Sequence, residues 1–410
     1  MADLESLSPE LKERLAQLGQ VEVVVAVPGV ATGDALRDTI IRVRAALNGV
    51  GASLRTVLVH PDGAMVEPGS ADGQPALLPF PITPVDRFPG PGESLSEAYR
   101  TVFLASNRLG ARACVMVGSN PTTLSPEALQ RLVQPVVEQE FDLVTPCYLR
   151  RRFDALLNSS VLAPLSRALY GKRLRFPVGA DFGFSARLVE RQLQPLADRG
   201  AMPVWFASDA ACGGFKIGQA QLGVPVPVQR DPPDVSAAVA QLLGPLFQDV
   251  ERNAACWQKI RASQPVPTFG PAAAGPDEAA VVEVSRMVEA FRLGYRNLQD
   301  IWGVVLPPAT LVELKRLTQL SPDTFRLSDD IWARIVYDFA LAFRLRVMSR
   351  DHVLGAMTPL YRAWVASYAT EVRTAGPPAI EQRLDRLGAA FEAQKPYFVS
   401  RWRWPDRFNP

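Results

Sequence analysis

The sequence predicts an α/β fold, a doubly wound and mostly parallel sheet followed by an all-helical C-terminal domain, and three observations lead there. Strand-length apolar runs alternate with amphipathic helical stretches through the first part of the chain, the pattern of successive strand-helix-strand units. A Pro/Ala/Gly-rich stretch, QPVPTFGPAAAGPD from Gln264 to Asp277, then interrupts the alternation as a linker does. Beyond it the apolar spacing is helical alone, to about Ala393. The expected organisation is a helical extension over residues 1–20, an α/β domain over 21–262, a linker over 263–278 and a helical domain over 279–410.

The elements follow in order. Met1–Gln20 is polar with helical spacing, and Val21–Val27 (VEVVVAV) is a buried-strand run ended by Pro28-Gly29. A helix carrying Leu36, Ile40, Val43 and Leu47 on one face comes next, then a second strand from Arg55 to Val59, closed by Pro61-Asp62-Gly63. A Pro/Gly-rich loop spans about Glu67 to Gly92. Ser94 and Glu97 form a capping box ahead of a helix that runs through Leu109 and feeds the strand Ala113–Val117.

Ser125-Pro126-Glu127 supplies an N-cap, a proline at the first helical position and an acid in the first turn, so a helix starts there. Its stripe is Leu129, Leu132, Val133, Val136 and Val137, with Pro135 inside it as an expected kink. A short strand, Asp142–Thr145, precedes a less regular region that ends in the glycine-spaced turn Phe176–Ser185. Gly213–Gln219 is the last strand. In the helical part, Trp302, Trp332, Tyr337, Phe339, Phe343, Tyr361 and Trp364 recur at helix-like spacings and are expected in the core.

Composition excludes several function classes. The 410 residues, 48% hydrophobic, suffice for two cores. The 44 basic and 42 acidic residues leave a formal charge of +2, which gives no global field for nucleic acid or a membrane surface. No apolar run approaches the ~18 residues of a membrane span, and Met1–Gln20 has no secretory apolar core, so the expected location is cytoplasmic. Four scattered cysteines without a CxxC pair, Cys114, Cys147, Cys212 and Cys256, are expected as reduced core thiols. His60 and His352 are the only histidines, which excludes histidine-cluster zinc chemistry. Neither a Gly-x-Ser-x-Gly elbow nor a Walker loop occurs. The basic-aromatic tail Arg401-Trp402-Arg403-Trp404 is expected to dock back onto its own domain.

Ligands of open α/β sheets lie beyond the carboxyl ends of the strands, so the strand tips hold the candidates for chemistry. The tip after Ala113–Val117 is Gly118-Ser119-Asn120 and carries no charge. Asp62 follows the second strand, either as a turn residue or as a contact for a ligand. Gly179-Ala180-Asp181 permits close backbone approach, and Arg150, Arg151, Arg152, Lys172, Arg173 and Arg175 cluster in sequence nearby, as solvated charge or as forks for phosphate or carboxylate.

The stretch from Ala111 (ARACVMVGSNPTTLSPEALQ) through PVGADFGFS, with GGFKIGQAQLGVPV and the helical DIWARIVYDFALAFRLRVMSRDHVLGAMTPLYRAWVAS, resembles the retaining GT-A glycosyltransferases grouped with glucosyl-3-phosphoglycerate synthase and mannosylglycerate synthase. The resemblance covers about Val21 to Trp402 and implies a GT-A, Rossmann-like first domain. It also implies sugar transfer from a UDP- or GDP-linked donor to a small hydroxy-acid or phosphorylated acceptor, with a second copy of the chain allowed as a homodimer partner.

The family holds a divalent cation with an Asp-x-Asp motif at the strand tip and a downstream histidine, because the departing diphosphate gathers negative charge that Mg²⁺ or Mn²⁺ stabilises. Here the Asp-x-Asp positions are Gly118-Ser119-Asn120, and the histidine position falls near Pro227. A Gly-Lys-Gly loop becomes Gly90-Pro91-Gly92, and an acid becomes Pro203 ahead of Val204-Trp205. No protein-held metal is therefore expected; Mg²⁺ or Mn²⁺ would enter mainly on the donor diphosphate. By the resemblance, Pro28, Asp62, Gly92, Gly118, Ser119 and Asn120 form the donor side and Gly179, Ala180 and Asp181 the acceptor side; Arg151 and Lys172 join the acceptor side from their charge, and the catalytic residue is open, with Asp181 and with Asp209, six residues after Pro203, as candidates. The alternative is a pseudo-glycosyltransferase, a scaffold or regulatory subunit that kept the fold and lost transfer.

Overall fold

The computed structural model describes residues 9–29, 32–50, 54–62, 75–80, 92–118, 121–194, 204–227, 235–273, 275 and 282–405, with backbone alone for 92–95. Two compact units result, each assembled from separate stretches: Met1–Leu149, Leu174–Gln229 and Val266–Ala273 in the first, Arg150–Arg173, Arg230–Pro265 and Ala274–Pro410 in the second.

Ten strands are present among the described residues: β1 Val23–Ala26, β2 Thr56–Pro61, β3 Ala76–Phe80, β4 Ala113–Val117, β5 Leu143–Leu149, β6 Lys172–Arg173, β7 Asp181–Ser185, β8 Ile217–Pro225, β9 Gln264–Pro265 and β10 Thr268–Phe269. Eight of them form the sheet of the first unit in the order β10-β8-β5-β7-β4-β1-β2-β3. Every pairing is parallel except those of β7, which runs antiparallel between β4 and β5. This is the predicted α/β class with a mostly parallel, doubly wound sheet. β1 and β4 are buried along their whole lengths, which is why both read as unbroken apolar runs.

Helices cover the sheet as their spacing predicts. Leu36, Ile40, Val43 and Leu47 of the helix Gly33–Asn48 are all buried. Ser125 caps the helix Pro126–Gln139 by accepting from the Ala128 N–H at 3.2 Å. The N-terminal helix Pro9–Leu18 sends Leu11 and Leu15 into the same core as Tyr99, Phe103, Phe182 and Phe206.

Several local expectations are corrected. β3 is a parallel edge strand inside the stretch read as loop; its Pro79 and its Pro/Gly-rich flanks hide it, and an edge position tolerates proline. The helix after it begins at Gly92, so Ser94 lies inside it. β5 continues past Thr145 through Pro146, because its pairing with β7 ends at Val144 and a missing N–H on that side breaks no rung. Asp181–Ser185, read as a turn, is the antiparallel strand β7. Cys114 and Cys147 are buried reduced thiols, but Cys212 and Cys256 are each oxidised in a disulfide. Both of the latter are only half-buried, outside the apolar core that suggested reduced thiols.

The second unit is mainly helical. Its long helices are Val235–Arg252, Val284–Asn297, Asp329–Leu345, Arg350–Glu371 and Pro377–Arg403. All seven aromatic residues predicted for its core are buried. Tyr337 stacks on Phe398 at 4.5 Å, and Trp402 packs edge-on against Trp257 at 5.2 Å, so the basic-aromatic tail docks within its own unit. Arg401 meets the buried Asp338 at 2.9 Å and Tyr397 donates to both oxygens of that carboxylate at 2.8 Å, joining the last helix to Asp329–Leu345. A π-helical turn, Asn158–Leu162, leaves the Ser160 carbonyl to accept from the Trp332 indole N–H at 3.0 Å. No helix among the described residues is long and apolar enough to cross a membrane.

Candidate functional site

From β1 the chain moves outward through β2 and β3 in one direction, while β4 lies on the other side of β1. The reversal of strand order therefore falls between β1 and β4, the place where open α/β sheets form a ligand crevice. The last paired rung there is Ala26–Met116, and two residues beyond it stand Pro28 and Gly118. Two donor-side candidates far apart in sequence are thus neighbours at the switch point. Asp62, exposed at the end of β2, lies one strand to one side and donates its backbone N–H to Phe80 at 3.0 Å. β7, one strand to the other side, is antiparallel and begins at this same edge, with Asp181 opposite Val117.

The corner between β4 and β7 is tightly built. The Gly118 N–H donates to the Ala180 carbonyl at 2.9 Å, and a Cβ at Gly118 would lie only 2.6 Å from that oxygen, so glycine is required for the approach. A Cβ at Gly179 would meet the Pro146 ring at 2.3 Å. The Tyr148 hydroxyl, next to the end of β5, accepts from the backbone N–H groups of Ala180 at 3.0 Å and Asp181 at 3.2 Å, and donates to the Asp181 carboxylate at 2.7 Å. Asp181 is completely buried. Burial, and then the charge of Asp181, push the Tyr148 hydroxyl well above the usual tyrosine range, so it remains a donor at every working pH.

His60, on β2 just ahead of Asp62, is buried and donates from Nδ1 to the Pro61 carbonyl at 2.9 Å. Burial lowers its pKa, against the opposing pull of that hydrogen bond and of Asp62. It is a buried residue of β2, two positions ahead of Asp62.

Asp209 is buried on the helix Phe206–Cys212 and accepts from Arg191 at 3.2 Å and Gln192 at 2.9 Å, which ties that helix to Ala186–Leu193. Arg151 and Lys172 belong to the second unit, where the Arg151 backbone N–H binds Asp154 at 3.1 Å and Lys172 pairs with Gln264. Of their sequence neighbours, Arg150 binds Ser159 and Glu381, and Arg173 binds Ser263. Gly92 is the first residue of the helix Gly92–Arg108. Ser119, Asn120, Pro91 and Pro203 lie outside the described residues.

The described residues do not fit a protein-held divalent cation. No group of three His, Cys, Asp or Glu side chains among them converges as a ligand set. Gly118 and Pro227 have no ligating side chain, and Asp181 is braced by a tyrosine hydroxyl. Met116, Phe182 and Trp205 belong to the buried hydrophobic core with Phe103 and Phe206. Tyr148 is the site residue that sequence reasoning missed; a tyrosine in an apolar strand carries the signal of β-propensity and nothing more.

No protein-family profile matches the chain, and no curated protein matches it. Solved structures similar to it include a mycobacterial protein, at 16% identity over 61% of this chain and 79% of that one, with a TM-score of 0.35. Another is glucosyl-3-phosphoglycerate synthase from Mycobacterium tuberculosis in complex with phosphoglyceric acid, at 17% identity over 60% of this chain and 84% of that one, with a TM-score of 0.36. The same enzyme with Mn²⁺, uridine-diphosphate-glucose and phosphoglyceric acid gives 17%, 60%, 83% and 0.34. At such distances these likenesses carry no argument about what this chain binds.

Proposed function

We propose that the chain is a glycosyltransferase-class protein that seats a UDP- or GDP-linked sugar in the switch-point crevice without a cation held by its own side chains. The observation that carries this reading is the row of tips Asp62, Pro28, Gly118 and Asp181 along one sheet edge. Neighbouring strands are about 4.8 Å apart, so three steps give a row of about 14 Å. That is the reach of a nucleobase, diphosphate and sugar laid end to end. Asp62 is suited to the nucleoside and the glycine tip to close approach of the diphosphate. Gly179 and Ala180 are suited to close backbone approach of the sugar or acceptor, the acceptor being a small hydroxy acid or phosphorylated compound, with Asp181 buried behind them. The sequence resemblance to the retaining GT-A enzymes supports the same assignment.

Charge developing on a departing diphosphate needs donors or a cation. With no ligand set among the described residues, Mg²⁺ or Mn²⁺ would bind mainly through the diphosphate itself. The rival reading, a scaffold that kept the fold without transfer, is favoured by the corner at Gly118: its N–H is already taken by Ala180, and Asp181 is buried. Incubation with UDP-glucose or GDP-mannose and 3-phosphoglycerate, followed by mass analysis, separates the two. A glycosylated acid supports transfer; nucleotide-sugar binding without turnover on any hydroxy acid supports the scaffold.

A further inference from the structure

We infer that the end of the helical unit where the helices Asp329–Leu345 and Pro377–Arg403 finish is a docking surface for an anionic lipid bilayer, held by arginine and lysine charge and by a shallowly inserted tryptophan. Three segments meet there. Arg344 donates to the Trp402 carbonyl at 2.8 Å and lies over the Trp402 ring at 4.2 Å, and Arg403 donates to Gln258 at 2.8 Å. Trp257, stacked on Phe398 at 5.0 Å, secures the segment around Gln258 against the last helix. The stretches 252–263, 339–350 and 393–405 carry three Lys or Arg each and no Asp or Glu. A chain whose formal charge is only +2 thus gathers cations at one place.

Part of this charge is neutralised inside the unit, Arg401 by Asp338 and Arg350 by Glu251, at 2.9 Å each. Lys259, Arg346 and Arg403 are exposed. Among the described residues, Asp351 is the exposed acid that adjoins these stretches, and it lies in the first turn of its own helix, where an acid is stabilising. Arg346 is the C-cap of Asp329–Leu345 at φ +53°, a left-handed position that glycine adopts without strain. The turn therefore does not call for the side chain that stands there. Between these cations Leu345 and Val347 are each 38% exposed and Trp404 is 59% exposed, although Trp402, two residues earlier, is buried. Guanidinium groups interspersed with an indole and branched aliphatic side chains match the headgroup layer of an anionic bilayer, where phosphates meet the cations and the acyl chains begin just beneath. Nucleic acid would leave Leu345 and Val347 against its solvated backbone, and one exposed indole offers a stacking platform for a single base. No helix among the described residues crosses a bilayer, so the contact made by this surface is peripheral.

The test is co-sedimentation of the full chain with vesicles of phosphatidylcholine alone, and of phosphatidylcholine and phosphatidylglycerol in equal parts, with binding to poly(dT) measured separately by anisotropy. Saturable binding to the anionic vesicles, little to the neutral ones, and weakening as salt is raised are expected. Arg346→Gln combined with Arg403→Gln should weaken it about twentyfold, close to fivefold for each charge removed. Lysine at both positions should leave the binding near its native value, because the charge is kept. Trp404→Ser should weaken it about tenfold, the worth of partly burying an indole. Equal Tm values establish that the variants fold. Native chain that stays in the supernatant with anionic vesicles overturns the inference. Equal binding to both kinds of vesicle, full binding by the double glutamine or the Trp404 variant, or binding to poly(dT) without binding to vesicles overturns it as well. No nucleotide sugar takes part, so the result is independent of the proposed donor site.

Discussion

At the scale of single residues, the crevice depends on atoms that are absent as much as on those present. Gly118→Ala places a Cβ 2.6 Å from the Ala180 carbonyl, backbone that cannot swing aside as a side-chain tip would. The expected cost is about 1–3 kcal/mol of stability, the range for overpacking, together with weaker nucleotide binding. Denaturant midpoints and calorimetry of this variant check both. His60 gives a pH signature. Its folded pKa lies below the ordinary 6.5, mainly through burial, so the unfolded chain takes up the proton first as pH falls. The stabilising contribution is complete above about 6.5 and is lost progressively as pH falls from there through the lower folded value. In His60→Gln, the fall in Tm between about pH 7.5 and 5.5 should be smaller than in the native chain; an identical fall would remove His60 from the account. The close backbone approach at Gly179 was legible in the sequence, because a glycine-spaced stretch permits it. Tyr148 was not, because its role exists only once β5 and β7 are side by side.

At the scale of elements, the sheet is locked where β5, β7 and β8 come together. Asp142, buried just before β5, accepts from the Ser185 hydroxyl at 2.7 Å, from Arg187 at 2.7 and 3.2 Å, and from the Lys216 backbone N–H at 2.9 Å. Burial raises its pKa, but these donors outweigh burial and the net direction is down. Asp142→Ala strands the Lys216 N–H and frees the end of β7. We expect a loss of about 2–4 kcal/mol, readable as a lower urea midpoint at unchanged slope. A loss below about 0.5 kcal/mol would show that the three strands do not depend on it. Elements with local chemistry were legible: Ser125-Pro126 announces its helix, and VEVVVAV its strand. β3 and the second half of β5 were hidden by Pro79 and Pro146, whose tolerance depends on which strand edge is unpaired. β7 was taken for a turn, since an antiparallel strand inserted between two parallel ones leaves no periodic mark in five residues.

At the scale of the whole molecule, the mostly parallel sheet and the helical remainder were predicted from alternation and its cessation. The discontinuous make-up of the units was invisible to composition. Residues 150–173 belong to the helical unit because the helix Ala163–Tyr170 packs on Pro377–Arg403, with Arg167 reaching Asp385 and Glu392 at 2.7 Å each, contacts more than 200 positions apart in sequence. The account's central claim is that the switch-point crevice of the first unit takes a nucleotide sugar without protein-held metal. Calorimetric titration of the full chain with UDP, GDP, UDP-glucose and GDP-mannose, with EDTA and then with Mg²⁺ or Mn²⁺, tests it most directly. Saturable binding of one nucleotide and its sugar conjugate in EDTA is the predicted result. Binding that appears only on adding the cation, or no binding of any of the four, would contradict it.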